Sequence, residues 1–101
     1  MLLAADVGGT KTLVGLFRPT EPRPSPQVVR EYATLDFDSL DEIIAAFEDE
    51  TGAMGVSAVC IGVAGQVSSL MARLTNVPWL LDASTMSERF DDCPVTLLND
   101  L

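Results

Sequence analysis

Two apolar runs near the amino terminus, Leu2–Ala5 and Leu13–Phe17, with Gly8-Gly9 between them, constrain this chain more than any other feature. Each run reads as a strand. A glycine pair between such runs reads as a hairpin, because glycine can take positive φ without a Cβ clash. The joint also carries chemistry. Asp6 follows the first run, Thr10 adds a hydroxyl and Lys11 a cation. A backbone open to close approach, outward N–H groups and a hydroxyl donor are what a phosphate cradle needs. Asp6 offers a hard oxygen of the kind that suits hydrated Mg²⁺. The same D-x-G-G-T run is equally compatible with a plain tight turn, Asp6 on solvent and Thr10 satisfying its own backbone. It is neither a Walker loop nor a dinucleotide fingerprint, since those lead from a strand into a helix.

At 101 residues the chain is long enough for one domain with one core. A hydrophobic share of 48% is that of a globular domain and not of a disordered one. The net charge of −9, with the six basic residues scattered singly, argues against nucleic acid or an anionic membrane as partner. No apolar run nears the roughly 20 residues of a membrane span, and no basic leader is expected before the first strand. A cytoplasmic chain is expected, with Cys60 and Cys93 reduced, since their spacing fits neither a metal nor a redox motif. The chain has no histidine, which excludes a histidine relay or histidine metal ligands within it.

Onward from the hairpin, Pro19 to Pro26 holds four prolines in eight residues and is expected to be an exposed, mobile connection. Val28–Thr34 reads as an edge-like strand. Ser39 and Glu42 form a capping box before a helix whose Leu40, Ile43, Ile44 and Phe47 make one apolar stripe. Asp41, Glu42, Glu48 and Asp49 read as its solvated side, and Gly52 as its end. Ser57–Val63 is nearly continuous apolar sequence, which suits a strand covered on both faces, with Cys60 packed as a small hydrophobe. Residues 64–79 lack strong periodicity and read as an irregular loop with room for a small β-ribbon; a loop of this length is often functional. A short helix over Ala83–Phe90 is capped by Asp82 and turns Ala83, Met86 and Phe90 inward. Val95–Leu98 is the last strand, ending in Asn99-Asp100.

The order β-β-β-α-β-α-β predicts an α/β fold: a mixed five-stranded sheet with flanking helices. In such sheets ligands gather beyond the carboxyl ends of the parallel strands. Asp6, the Gly65 loop and Asn99-Asp100 all fall at ends of that kind. A turn or helix cap would explain Asn99-Asp100 as well, and Trp79 reads as an anchor of the core or loop.

Four blocks in order, LAADVGGTKT, GVAGQV, TNVPW and LLNDL, resemble the bacterial glucokinase family, sugar kinases of the ribonuclease-H-like, actin-like ATPase fold. The resemblance implies ATP-dependent phosphorylation of the glucose 6-hydroxyl. Related repressors carry a DNA-binding helical segment before the first strand, and none is expected here. By resemblance, Asp6, Val7, Gly8, Gly9 and Thr10 form the ATP phosphate loop, with Asp6 helping to hold Mg²⁺ through water. Asp100 is then the carboxylate that takes the sugar hydroxyl's proton. Asn99, Gly65, Thr75 and Asn76 line the sugar pocket, and Lys11 has no assigned role. The resemblance makes residues 1–101 the N-terminal lobe of a two-lobe enzyme, expected to be inactive alone and to self-associate through uncovered apolar surface. Other hexose or amino-sugar kinases, and a non-catalytic actin-like module binding nucleotide or sugar, share the pattern.

Overall fold

β1 (Leu2–Val7) and β2 (Lys11–Arg18) form the expected hairpin, antiparallel from Leu2↔Phe17 to Val7↔Thr12. The computed structural model describes residues 1–52, 55–68, 71–74 and 79–99. The glycines serve the turn differently from the sequence expectation. Positive-φ glycines among the described residues are Gly52 and Gly55, so Gly8 is required for space and not for its dihedral freedom. A Cβ on Gly8 would stand 2.9 Å from the Lys11 carbonyl oxygen.

β3 (Ser25–Ala33) pairs with β2 and is an edge strand, as expected. It starts earlier than the proline content implies. Pro26 lies within the strand opposite Phe17, where the register shifts between Leu16 and Phe17. An edge strand needs hydrogen bonds on one side only, and a bulge relieves the missing donor. Residues 19–24 are exposed, as expected.

A 3-10 turn (Thr34–Asp36) leads to α1 (Leu40–Thr51). Ser39 Oγ accepts the Glu42 N–H at 3.3 Å, while the Glu42 carboxylate accepts from the Asp38 N–H at 2.8 Å. The capping box therefore closes one residue early. Gly52, at φ 68°, ends the helix by giving its N–H to the Glu48 carbonyl. Leu40, Ile43, Ile44 and Phe47 are buried as their spacing implies. Glu48 is not simply solvated, since Arg89 donates to it at 2.6 Å.

β4 (Ala58–Val63) runs parallel to both β1 and β8 (Val95–Asn99), completing a five-stranded mixed sheet of order β3-β2-β1-β4-β8. Coverage on both faces does not hold. Val59, Ile61 and Val63 are buried, but Cys60 on the other face is exposed and is not packed as a core residue. The stretch read as an irregular loop with room for a small β-ribbon carries that ribbon among its described residues. β5 (Gly65–Ser68), β6 (Met71–Leu74) and β7 (Leu80–Asp82) form a second, three-stranded antiparallel sheet. Buried Trp79 precedes its last strand, an anchor as expected.

α2 (Ala83–Arg89) is capped by Asp82, whose carboxylate accepts from the Ser84 and Thr85 N–H groups at 2.9 and 3.4 Å. Ala83, Met86 and Phe90 are buried. Met86, Phe90, Ile43, Ile44 and Phe47 share one core with Leu3, Ala5, Val7, Val59, Ile61 and Val63. Two helices thus cover one face of the sheet, and among the described residues no helix covers the other.

Candidate active site

Parallel pairing aligns the ends of three strands. Val7, Val63 and Asn99 sit side by side, as do Asp6, Gly62 and Leu98 one row earlier. With neighbouring strands about 4.8 Å apart, the Val7 and Asn99 backbones lie roughly 10 Å from each other on one sheet edge. Beyond Val7 the chain turns through Gly8, Gly9 and Thr10, and beyond Val63 through Ala64 into Gly65. The Ala64 N–H donates to the Val7 carbonyl at 3.4 Å, so the two turns are joined. Of the residues singled out from sequence, Asp6, Val7, Gly8, Gly9, Thr10, Gly65 and Asn99 meet on this carboxyl edge. Thr75, Asn76 and Asp100 lie outside the described residues.

Each position has a local reason. Asp6 is exposed because strand alternation turns it away from the helices while Ala5 and Val7 pack beneath them. Gly65 is buried at the start of β5, and a side chain there would collide with the Arg73 carbonyl oxygen, so glycine lets β6 approach. The Gly8 N–H is committed to the Lys11 carbonyl at 2.9 Å. Gly8 therefore shapes the turn, and the donors available to an anion belong to the tip at Gly9 and Thr10. The Thr10 side chain is exposed there.

Two residues that support this hairpin, one in β2 and one just after β3, escaped the sequence reading. Thr12 and Thr34 are fully buried, with their hydroxyl oxygens 2.8 Å apart, and the Thr34 hydroxyl also donates to the Gly8 carbonyl at 2.9 Å. The Thr34 N–H donates to the Thr10 carbonyl at 2.9 Å. The signal was present in the alternation of β2. Lys11 outward puts Thr12 inward, and a buried hydroxyl needs a partner.

The donor set fits Mg²⁺ in its usual manner, one carboxylate with waters and phosphate oxygens, better than a cage of protein ligands. Among the described residues no group of three acidic or cysteine side chains could hold a metal by itself. The most apolar hollow, ≈ 390 Å³, lies at the opposite end of the strands between Leu2, Ala4, Phe17, Pro24, Ala58 and Pro94. Its lining is mostly apolar, with Arg23, Cys60 and Thr96 also present and no carboxylate to take a hydroxyl proton.

The family model described as Glucokinase matches residues 3–101. The chain belongs to the glucokinase family. A glucokinase of Nostoc punctiforme is 30% identical over 101 residues, covering 99% of this chain and 30% of that protein. One from Xanthomonas oryzae pv. oryzae is 33% identical over 100 residues, covering 98% and 30%. The chain therefore spans about a third of the length of the curated glucokinases it matches. Among solved structures, a glucokinase from an Antarctic psychrotroph superposes with a TM-score of 0.87 at 22% identity, over 98% of this chain and 32% of that one. A ROK family protein from Streptococcus pneumoniae, solved in complex with sucrose, gives 0.73 at 18% identity over 98% and 34%. These superpositions show the actin-like sugar-kinase fold, about a third of which this chain spans.

Proposed function

We propose that this chain is the N-terminal lobe of a two-lobe glucokinase that transfers the terminal phosphoryl group of ATP to the 6-hydroxyl of glucose. The observation that carries the reading is the alignment of Val7, Val63 and Asn99, which brings the glycine hairpin and the end of β8 to one edge. In this reading Asp6, Val7, Gly8, Gly9 and Thr10 hold the ATP phosphates. The tip N–H groups and the Thr10 hydroxyl meet phosphate oxygens. Asp6 holds Mg²⁺ through water, and the ion supplies neutralisation of phosphate charge.

Asn99 offers both a donor and an acceptor to neighbouring sugar hydroxyls, with Gly65, Thr75 and Asn76 along the same pocket. Asp100 is the catalytic base. A sugar hydroxyl is a weak nucleophile and phosphoryl transfer has a loose transition state, so positioning dominates the rate. A carboxylate on the hydroxyl orients it and accepts its proton late, an effect typically worth about 10²–10⁴-fold.

One lobe cannot close over its substrates and exclude water. Residues 1–101 alone should therefore turn over negligibly, while the two-lobe protein should reach an ordinary kinase rate of roughly 1–100 s⁻¹ with glucose and ATP. A coupled assay on both, run over a panel of hexoses and amino sugars, tests this. Kinase-like turnover by the 101-residue chain would overturn the lobe assignment, and preference for another sugar would move the substrate. A cytoplasmic setting accords with the absence of any described helix long and apolar enough to cross a membrane. The bare sheet face makes self-association the expected state of the isolated lobe.

A further inference from the structure

The Thr12–Thr34 pair does more for the hairpin than fill the core. A hydroxyl has one proton to give. The Thr34 proton goes to the Gly8 carbonyl, so the 2.8 Å contact with Thr12 must have Thr12 as donor. The result is a one-way chain from the Thr12 hydroxyl through the Thr34 hydroxyl to the Gly8 carbonyl. The Thr34 backbone N–H meanwhile holds the Thr10 carbonyl at 2.9 Å. One fully buried residue thus fastens the carbonyls on both sides of Gly9.

The geometry of the peptide unit gives this a consequence. In a trans peptide the C=O and the following N–H point in opposite directions. Drawing the Gly8 carbonyl inward to buried Thr34 turns the Gly9 N–H outward, away from the core. A hydrogen bond accepted by that carbonyl also polarises the unit and strengthens the N–H as a donor. The Gly8 N–H is already spent on Lys11, so the Gly9 N–H is the hairpin donor fixed by this arrangement.

We propose that Thr34, relayed from Thr12, is a positioning residue that aims the Gly9 N–H at a phosphate oxygen of the bound nucleotide. The proposal rests on the kinase reading above and adds a residue to it. It touches neither substrate.

The test uses the two-lobe protein with Thr34→Val, Thr34→Ser and Thr12→Val, and measures KM for ATP and for glucose separately. Titration of wild type with ATP comes first: no binding there would sink the kinase reading itself, and this inference with it. Given wild-type binding, Thr34→Val is expected to raise the ATP KM about tenfold, the scale of one hydrogen bond to a charged group. The glucose KM should stay within roughly twofold of wild type, and Thr34→Ser should restore the ATP KM, because the effect requires only the hydroxyl. Thr12→Val should give a smaller rise in the same constant. Equal rises in both KM values, or no rise, would overturn the proposal, as would failure of Thr34→Ser to restore the ATP constant. If Thr34→Val does not fold, the other two decide: an unchanged ATP KM in Thr12→Val, or a raised one in Thr34→Ser, overturns it.

Discussion

The two faces of the five-stranded sheet share strands but not chemistry. Toward the helices, Leu3, Ala5, Val7, Val59, Ile61 and Val63 are buried against Ile43, Ile44, Phe47, Met86 and Phe90. Away from them, the intervening residues are Leu2, Ala4, Asp6, Ala58, Cys60 and Gly62, none of them buried. The covered face is branched and bulky, and it carries the stability. The bare face is small-chained and apolar near the start of the strands, and turns polar at Asp6, where the proposed site begins. One face folds this chain, and the other leaves it something to bind.

The largest expected effect lies on the covered face. Phe47→Ala should cost about 3–5 kcal/mol, the usual range for emptying a packed aromatic site, read from urea unfolding. A loss near zero would mean that the helix layer does not hold the sheet. Next comes Gly65→Ala, which drives a methyl into the Arg73 carbonyl and should cost roughly 1–3 kcal/mol through backbone displacement. Wild-type stability there would show that β5 and β6 are not in close contact.

A pH titration sharpens the comparison at the edge of the core. Tyr32, the single tyrosine, is pushed up to about 12 by burial, then by the nearby Glu50 carboxylate, to which its hydroxyl donates at 3.3 Å. An acid held protonated in the fold supports stability fully below the unfolded value near 10 and loses that support as pH climbs toward about 12. Ultraviolet titration of the phenol should show the high midpoint. A midpoint at 10 would place the ring in solvent.

The smallest effect belongs to the bare face, where Cys60→Ala should change stability by no more than about 0.5 kcal/mol. Thiol labelling reads the same contrast in the native chain, with Cys60 reacting quickly and Cys93 slowly, since burial covers the Cys93 thiol and raises its pKa. Equal rates would erase the distinction between faces. Labelling of Cys60 that slows with protein concentration, together with a heavier sedimenting species, would report self-association through this face.

Much of this was legible in the residues, and the exceptions have physical causes. The α1 stripe, its Ser39 cap and its Gly52 stop follow from local rules that the tertiary structure leaves alone. Ser57–Val63 misled because alanine, cysteine and glycine count as apolar while packing little, which hid an ordinary period of two behind a continuous run. Residues 64–79 looked irregular because strands of three or four residues are too short to display a period. Pro26 was read as a barrier to pairing, and the register shift at Leu16/Phe17 accommodates it. At the candidate site, the motif residues were visible by type and spacing. Thr34 was not, because its role depends on where the end of β3 meets the hairpin, a contact across 26 residues of sequence.

The most direct test of the account is Asp100→Ala in the two-lobe protein, with glucose binding and turnover measured side by side. The account predicts turnover reduced by about 10²-fold or more with glucose still bound, as expected when a positioned base is removed. Undiminished turnover would contradict it, because Asp100 would then take no part in the chemistry proposed for it.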